Sequence, residues 1–234
     1  MNVDRAAETI RNGGLGRLVV ASHPSAGIAL LPALVSDFLR ANPGVTLRLV
    51  TRNSEDVRVL FPSHTVDIGI AELPIDYAGI DAVRYQLRCV AILPKEHALA
   101  AHETITPLLL SGAPFFAIGR ERQSHHEVLH AFADARSDFN LVGEAEQFAS
   151  VCAVVAGGYA VSIVDPWTAE SFVDKLVVRP FEPAIKYDIA VFRSADRPPS
   201  IVAAKFMTTI DRHLREAGAV VKRVRSGPRS ASDR

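Results

Sequence analysis

The segment His126-Glu127-Val128-Leu129-His130 is the part of this 234-residue chain whose spacing most directly names a reaction. Two histidines at i and i+4 share one face of a helix, where they can hold zinc while the glutamate between them acts as base. The surroundings do not complete such a centre. Catalytic zinc needs a third protein ligand, and Ala133 and Arg136 stand where a metzincin would continue with Gly and His. Glu144 and Glu146 fall in or beside a predicted strand and not on a second helix. The chain has no G-x-S-x-G elbow and no phosphate-binding P-loop. Gly14-Leu15-Gly16 precedes its strand, the wrong order for a dinucleotide fingerprint. No enzyme class, catalytic residue, cofactor or bound metal is expected, and a zinc hydrolase using His126, Glu127 and His130 is the least supported reading.

A second set of chemically useful residues emerges from position. In open α/β sheets, ligands bind outside the carboxyl ends of the strands. Past the first predicted strand come Ser22, His23, Pro24, Ser25 and Ala26, opening a helix. Arg52, Asn53 and Ser54 open another, and Glu72 and Leu73 follow the third strand. In the second half the same positions hold Gly119, Arg120 and Glu121, then Glu146, Gln147 and Phe148, then Asp165 and Pro166. Helix N-termini with free N–H groups and Ser or Asn side chains attract carboxylates. Glu72, Glu146 and Asp165 offer fixed negative charge to an ammonium or guanidinium. A zwitterionic, amino-acid-like ligand satisfies both. Each residue also has a purely structural use: Ser25, Ser54 and Asp165 as helix caps, Glu72 as a solvated loop acid, Arg120 as partner of an acid such as Glu121, and Phe148 as a helix staple.

The elements that must position these residues alternate along the chain. Gly16–Ser22 (GRLVVAS) reads as a short buried strand, and 25–41 as an amphipathic helix through Ile28, Leu31, Leu34, Val35, Phe38 and Leu39. Asn42-Pro43-Gly44 stops it. Val45–Thr51 is a strand, Asn53–Phe61 a helix and Val66–Ala71 a third strand, the grammar of parallel βαβ units. The second half repeats it: strands at Arg88–Leu93, Phe115–Ile118, Asn140–Ala145 and Ala160–Val164, with helices at Glu121–Ala135 and Phe148–Ala156. A late strand at Tyr187–Phe192 and a long helix at Pro199–Ala217 follow. The tail 220–234 is basic and unpatterned and is expected to be disordered. With no flexible linker between the halves, the chain is expected to cross between them on extended strands near 84–88 and 185–190.

Composition excludes several classes. The 26 Lys+Arg balance the 26 Asp+Glu, which argues against a nucleic-acid gripper, since phosphate binding needs clustered excess cation. No apolar run approaches the roughly 20 residues of a membrane span, so no membrane partner is expected. The N-terminus MNVDRAAETIRNGG lacks the apolar core of a secretory signal, which leads to an expectation of cytoplasmic residence. Cys89 and Cys152 each sit in an apolar run and read as small buried hydrophobes.

Several stretches, in order, resemble the effector-binding domain of LysR-type transcriptional regulators. They are Gly16–Ser22 with Leu31-Pro32 and Phe38, then Asn42-Pro43-Gly44-Val45, Asp67-Ile68-Gly69-Ile70, Leu93-Pro94 with His97-Ala98-Leu99, and Val154–Gly158 running into Ala160–Ile163. No one of these is specific; their order and spacing over about residues 5–217 are. Val161–Ala169 (VSIVDPWTA) is similar to the branch that senses lysine-like and opine-type ligands.

The resemblance implies an α/β fold of two Rossmann-like lobes, of the type 2 periplasmic-binding-protein kind, joined by two crossover strands. Residues 1–15 would be the remnant of a linker helix, with Asp4–Arg11 its last turns. Residues 16–86 and 188–219 would form lobe I and 87–187 lobe II. A small effector would bind in the crevice, with Ser25 and Ala26 on its carboxylate and Asn53 or Ser54 opposite. The resemblance also implies a homo-oligomer, dimer or tetramer, that meets DNA only through an N-terminal helix-turn-helix not contained in this sequence. A transporter's solute-binding protein is the second reading.

Overall fold

The computed structural model describes residues 16–61 and 65–224. The chain divides into two compact units: one runs to Gln86 and resumes at Asp188, and the other is Leu87–Tyr187. The expected linker-helix remnant 1–15 and tail residues 225–234 lie outside the described residues.

In the first unit, β1 (Gly16–Ser22) pairs in parallel with β2 (Val45–Thr51) and with β3 (Ile68–Glu72). Antiparallel strands extend this core. β10 (Lys186–Ser194) pairs with β3, and β4 (Ile80–Arg88) lies between β10 and β11 (Val220–Val224), giving the order β11-β4-β10-β3-β1-β2. Burial fits the place of β1 between β3 and β2: its last five residues, Leu18, Val19, Val20, Ala21 and Ser22, are all buried, as a strand covered on both faces must be. Helix α1 (Leu31–Ala41) and helix α6 (Ile201–Glu216) cover one face, with Phe38 and Phe206 rings 4.8 Å apart. Helix α2 (Ser54–Val59) covers the other, where Val57 and Phe61 pack with Val19, Ala21 and Phe192.

The second unit is built around β5 (Val90–Pro94), which pairs antiparallel with both β8 (Ser162–Val164) and β9 (Leu176–Pro180). β6 (Pro114–Ile118) and β7 (Asn140–Ala145) form a parallel pair, and a bridge from Phe115 to Val161 joins them to the rest. Helices α3 (Gln123–Asp134), α4 (Phe148–Ala156) and α5 (Pro166–Glu170) each follow a strand. Phe115, Phe132 and Phe139 form an aromatic knot beneath α3.

Two expectations are corrected, and one strand was not foreseen. Residues 220–224 are not disordered: Val220-Val221 begin a strand that pairs with β4, whose edge would otherwise expose a row of unpaired N–H and C=O groups. The strand expected at Arg88–Leu93 is two, β4 and β5, separated at Cys89. Strand β9 carried no alternation strong enough to read, because its middle residues are only half-buried. The chain passes between units within β4 and again within β10, so two strands make the crossings.

Candidate functional site

At the end of β1 the chain turns into a helix that opens at Pro24, passes through a π-helical turn at Ala26–Leu30 and continues as α1. Proline suits this start because its missing N–H would be unpaired there anyway. Ser25 is therefore inside the first turn, and its side chain makes no cap bond. A π-turn widens the helix by one residue and is frequent at functional sites. Here it brings Gly27 close to the strand ends: a Cβ on Gly27 would lie 2.5 Å from Thr51 Oγ1 and 2.7 Å from Ser22 Oγ. The result is a cradle of two hydroxyls beside the helix opening. Ser22 is fully buried, and its hydroxyl has no hydrogen-bond partner, an uncommon state for a buried polar group that calls for an explanation.

His23 is fully buried next to this cradle. Its Nδ1 lies 3.3 Å from the Ile70 carbonyl, which only accepts, so Nδ1 donates. Its Nε2 faces Glu72 Oε1 at 3.8 Å. Asn53, and not Ser54, caps α2: Asn53 Oδ1 accepts from the Asp56 amide at 2.7 Å. Ser54 Oγ accepts instead from the Glu72 amide at 3.0 Å, fastening α2 to the end of β3. Ser22, His23, Ser25, Ala26, Asn53, Ser54 and Glu72 thus all stand at the carboxyl ends of β1, β2 and β3.

In the second unit the predicted residues are more heavily engaged. The Gly119 amide donates to Ala145 O at 2.9 Å. Arg120 pairs with Glu144 at 3.1 Å across β6 and β7, and not with its neighbour Glu121, which Arg122 takes at 3.6 Å. Arg122 also donates to the Glu146 carbonyl, and the Glu146 side chain is exposed. Phe148 is buried against the edge of Tyr187. Asp165 is a buried cap whose Oδ1 accepts from the Trp167 and Thr168 amides at 3.1 and 3.0 Å, with Pro166 at the first helical position. Its charge adds to burial, the larger cause, in pushing the nearby Cys152 thiol up to about 12.

Three residues of these regions were missed in the sequence. Thr51 closes β2 and was readable as a strand end. Gly27 was signalled by a glycine early in an amphipathic helix, which costs stability unless a close approach requires it. Trp167 places a buried indole N–H with no hydrogen-bond partner beside Tyr187, and its place as the second residue of α5 gave no sign of that.

The histidine motif of α3 does not assemble a catalytic centre. His126 and His130 are exposed, and Glu127 is occupied, accepting from the Lys186 amide at 2.8 Å and from Gln123 Nε2 at 3.1 Å. Among the described residues no group of three or more potential ligands converges, and no helix is long and apolar enough to cross a membrane.

The family model of the LysR substrate binding domain matches residues 11–215. The chain belongs to this family. Among relatives of the LysR substrate-binding domain, the transcriptional activator protein LysR of Escherichia coli is 29% identical over 203 residues, covering 86% of this chain and 65% of that protein. The chain thus spans about two thirds of the length of that relative. The octopine catabolism/uptake operon regulatory protein OccR of Rhizobium meliloti is 26% identical over 207 residues, 88% of this chain and 69% of its own. The effector-binding domain of QuiR, solved with shikimate, superposes with a TM-score of 0.67 at 14% identity, covering 86% of this chain and 98% of that one. The LysR substrate-binding domain has the type 2 periplasmic-binding-protein fold, with two α/β units and two crossover strands.

Proposed function

We propose that this chain is the effector-sensing part of a LysR-type transcriptional regulator, and that its effector is a small zwitterion of amino-acid or opine type. The observation that carries the reading is the buried Ser22 hydroxyl, without a partner, beside the helix opening at Pro24–Ala26 and the Thr51 hydroxyl. A carboxylate oxygen placed there would accept from the hydroxyls and from the first-turn N–H groups, where the helix dipole favours negative charge. Glu72, at the end of the neighbouring strand, suits the cationic end. The carboxylate of shikimate bound by QuiR and the octopine operon governed by OccR support this ligand class.

No bond is made or broken in this function. A ligand acts by differential affinity for two arrangements of the protein, shifting their populations. In the whole regulator, a dimer or tetramer, the shift would reposition DNA-reading domains contributed by sequence outside this chain. Isothermal titration against lysine, arginine, octopine and nopaline, each beside its decarboxylated amine, tests the reading. At least one carboxylate-bearing compound is expected to bind, its amine counterpart to fail, and Ser22→Ala to weaken the binding about tenfold, the value of one charge-assisted hydrogen bond. Absence of heat from every carboxylate would overturn it.

A further inference from the structure

The two histidines of α3 remain unexplained by effector sensing. Helix α3 buries His125, Val128, Ala131 and Phe132, which turns His126 and His130 outward on the opposite face. Residues four apart on a helix are neighbours, with Cβ atoms roughly 5–6 Å apart. Two imidazoles at that separation can chelate one metal ion. The glutamate of the motif does not compete or assist: its carboxylate holds the Lys186 amide at 2.8 Å, tying α3 to the first residue of β10. The third histidine of the cluster, His125, is buried and engaged by the Ile118 carbonyl at 2.7 Å. The motif is therefore split between a structural glutamate and an exposed imidazole pair.

We propose that His126 and His130 form a two-histidine site for a borderline divalent transition metal, with its remaining coordination positions open to water. Imidazole suits copper, nickel and zinc, whereas magnesium and calcium prefer oxygen ligands. The helix fixes both Cβ positions in advance, so the second contact is intramolecular, and the pair binds on the order of a hundredfold more tightly than a lone surface histidine. With two ligands and no third acid or thiolate within reach among the described residues, the site is a docking position for metal and not a hydrolytic centre.

The test uses the untagged full chain, freed of metal by chelation and titrated separately with Cu2+, Ni2+, Zn2+ and Mg2+. One ion per chain is expected, tightest for Cu2+, with no Mg2+ binding and with nitrogen hyperfine structure in the Cu2+ electron paramagnetic resonance spectrum. His126→Ala and His130→Ala should each weaken binding by about a hundredfold, the chelate gain just described, while His102→Ala leaves it unchanged. All three positions are exposed, so these variants should fold. Failure of every ion to bind, or binding that survives the double substitution at His126 and His130, overturns the proposal.

Discussion

The hydroxyl of Ser54 accepts the amide hydrogen of Glu72 at 3.0 Å, joining the first residue of α2 to the last residue of β3. The bond gives Ser54 a positioning role, since it fixes where the Glu72 carboxylate leaves the strand. Ser54→Ala is expected to cost about 1 kcal/mol, the net worth of one such bond. For a chain of this size that lowers the thermal midpoint by roughly 2–4 °C, which scanning calorimetry would read. An unchanged midpoint would mean that the bond carries no weight in solution.

Gly27 is expected to tolerate no side chain. A methyl there meets Thr51 Oγ1 at 2.5 Å and Ser22 Oγ at 2.7 Å, and neither belongs to a long flexible side chain. Gly27→Ala should cost about 1–3 kcal/mol, the usual range for overpacking, and should abolish binding of any carboxylate that the wild type takes. Introducing Ser22→Ala and Thr51→Ala alongside it should restore most of the stability but not the binding. Urea midpoints and titration calorimetry separate the two effects.

Asp188 accepts from Arg84 Nη2 at 2.6 Å and Nε at 3.3 Å, and from Gln86 Nε2 at 3.0 Å, with its side chain only 8% exposed. Arg84→Met strands that carboxylate. Because the arginine is partly exposed, the expected loss is about 2 kcal/mol, below the range for a fully buried pair. Adding Asp188→Asn should recover part of it, as removal of the uncompensated charge requires. Chemical denaturation of the single and double variants checks the order.

Cys152 gives a pH dependence with a definite sign. Its thiol is raised to about 12 in the fold, first by burial and then by Asp165, from a value near 9 in an unfolded chain. Above pH 9 the unfolded chain loses this proton while the folded one keeps it, so stability falls as pH rises from about 9 to about 12. The slope from this one group is at most about 1.4 kcal/mol per pH unit. Cys152→Ala should flatten that part of the profile, measured as urea midpoints between about pH 8.5 and 11. A parallel profile in the variant would assign the alkaline loss to other groups.

Much of the fold was legible because its signals are local. Gly16–Ser22 reads as a buried strand because it is short, β-branched and bounded by glycines and Pro24, and 25–41 reads as a helix from its amphipathic repeat. The order of such elements, together with short family-like stretches, was enough to place the chain in its architecture. Strand ends then named Ser22, His23, Asn53, Glu72 and Asp165, because the carboxyl ends of a parallel sheet are where loops and helix openings gather.

Pairing and partnership were not legible, because they depend on residues distant in the chain. Nothing near Val220 announces that it will lie against Gln86, and only an open sheet edge makes that strand. Nothing in Asn53-Ser54 says which residue caps the helix and which reaches β3. Arg120 finds Glu144, and Glu127 finds Lys186, through packing that brings separate elements within 3.1 Å and 2.8 Å. The sequence by itself determined the periodicity, the charge balance and the chemical types at the strand ends. Tertiary structure alone decided which of those groups are spent on one another and which, like the buried hydroxyl of Ser22, are left for something else to satisfy. A hydrogen bond needs two groups within about 3 Å of each other, and only the folded chain sets that distance.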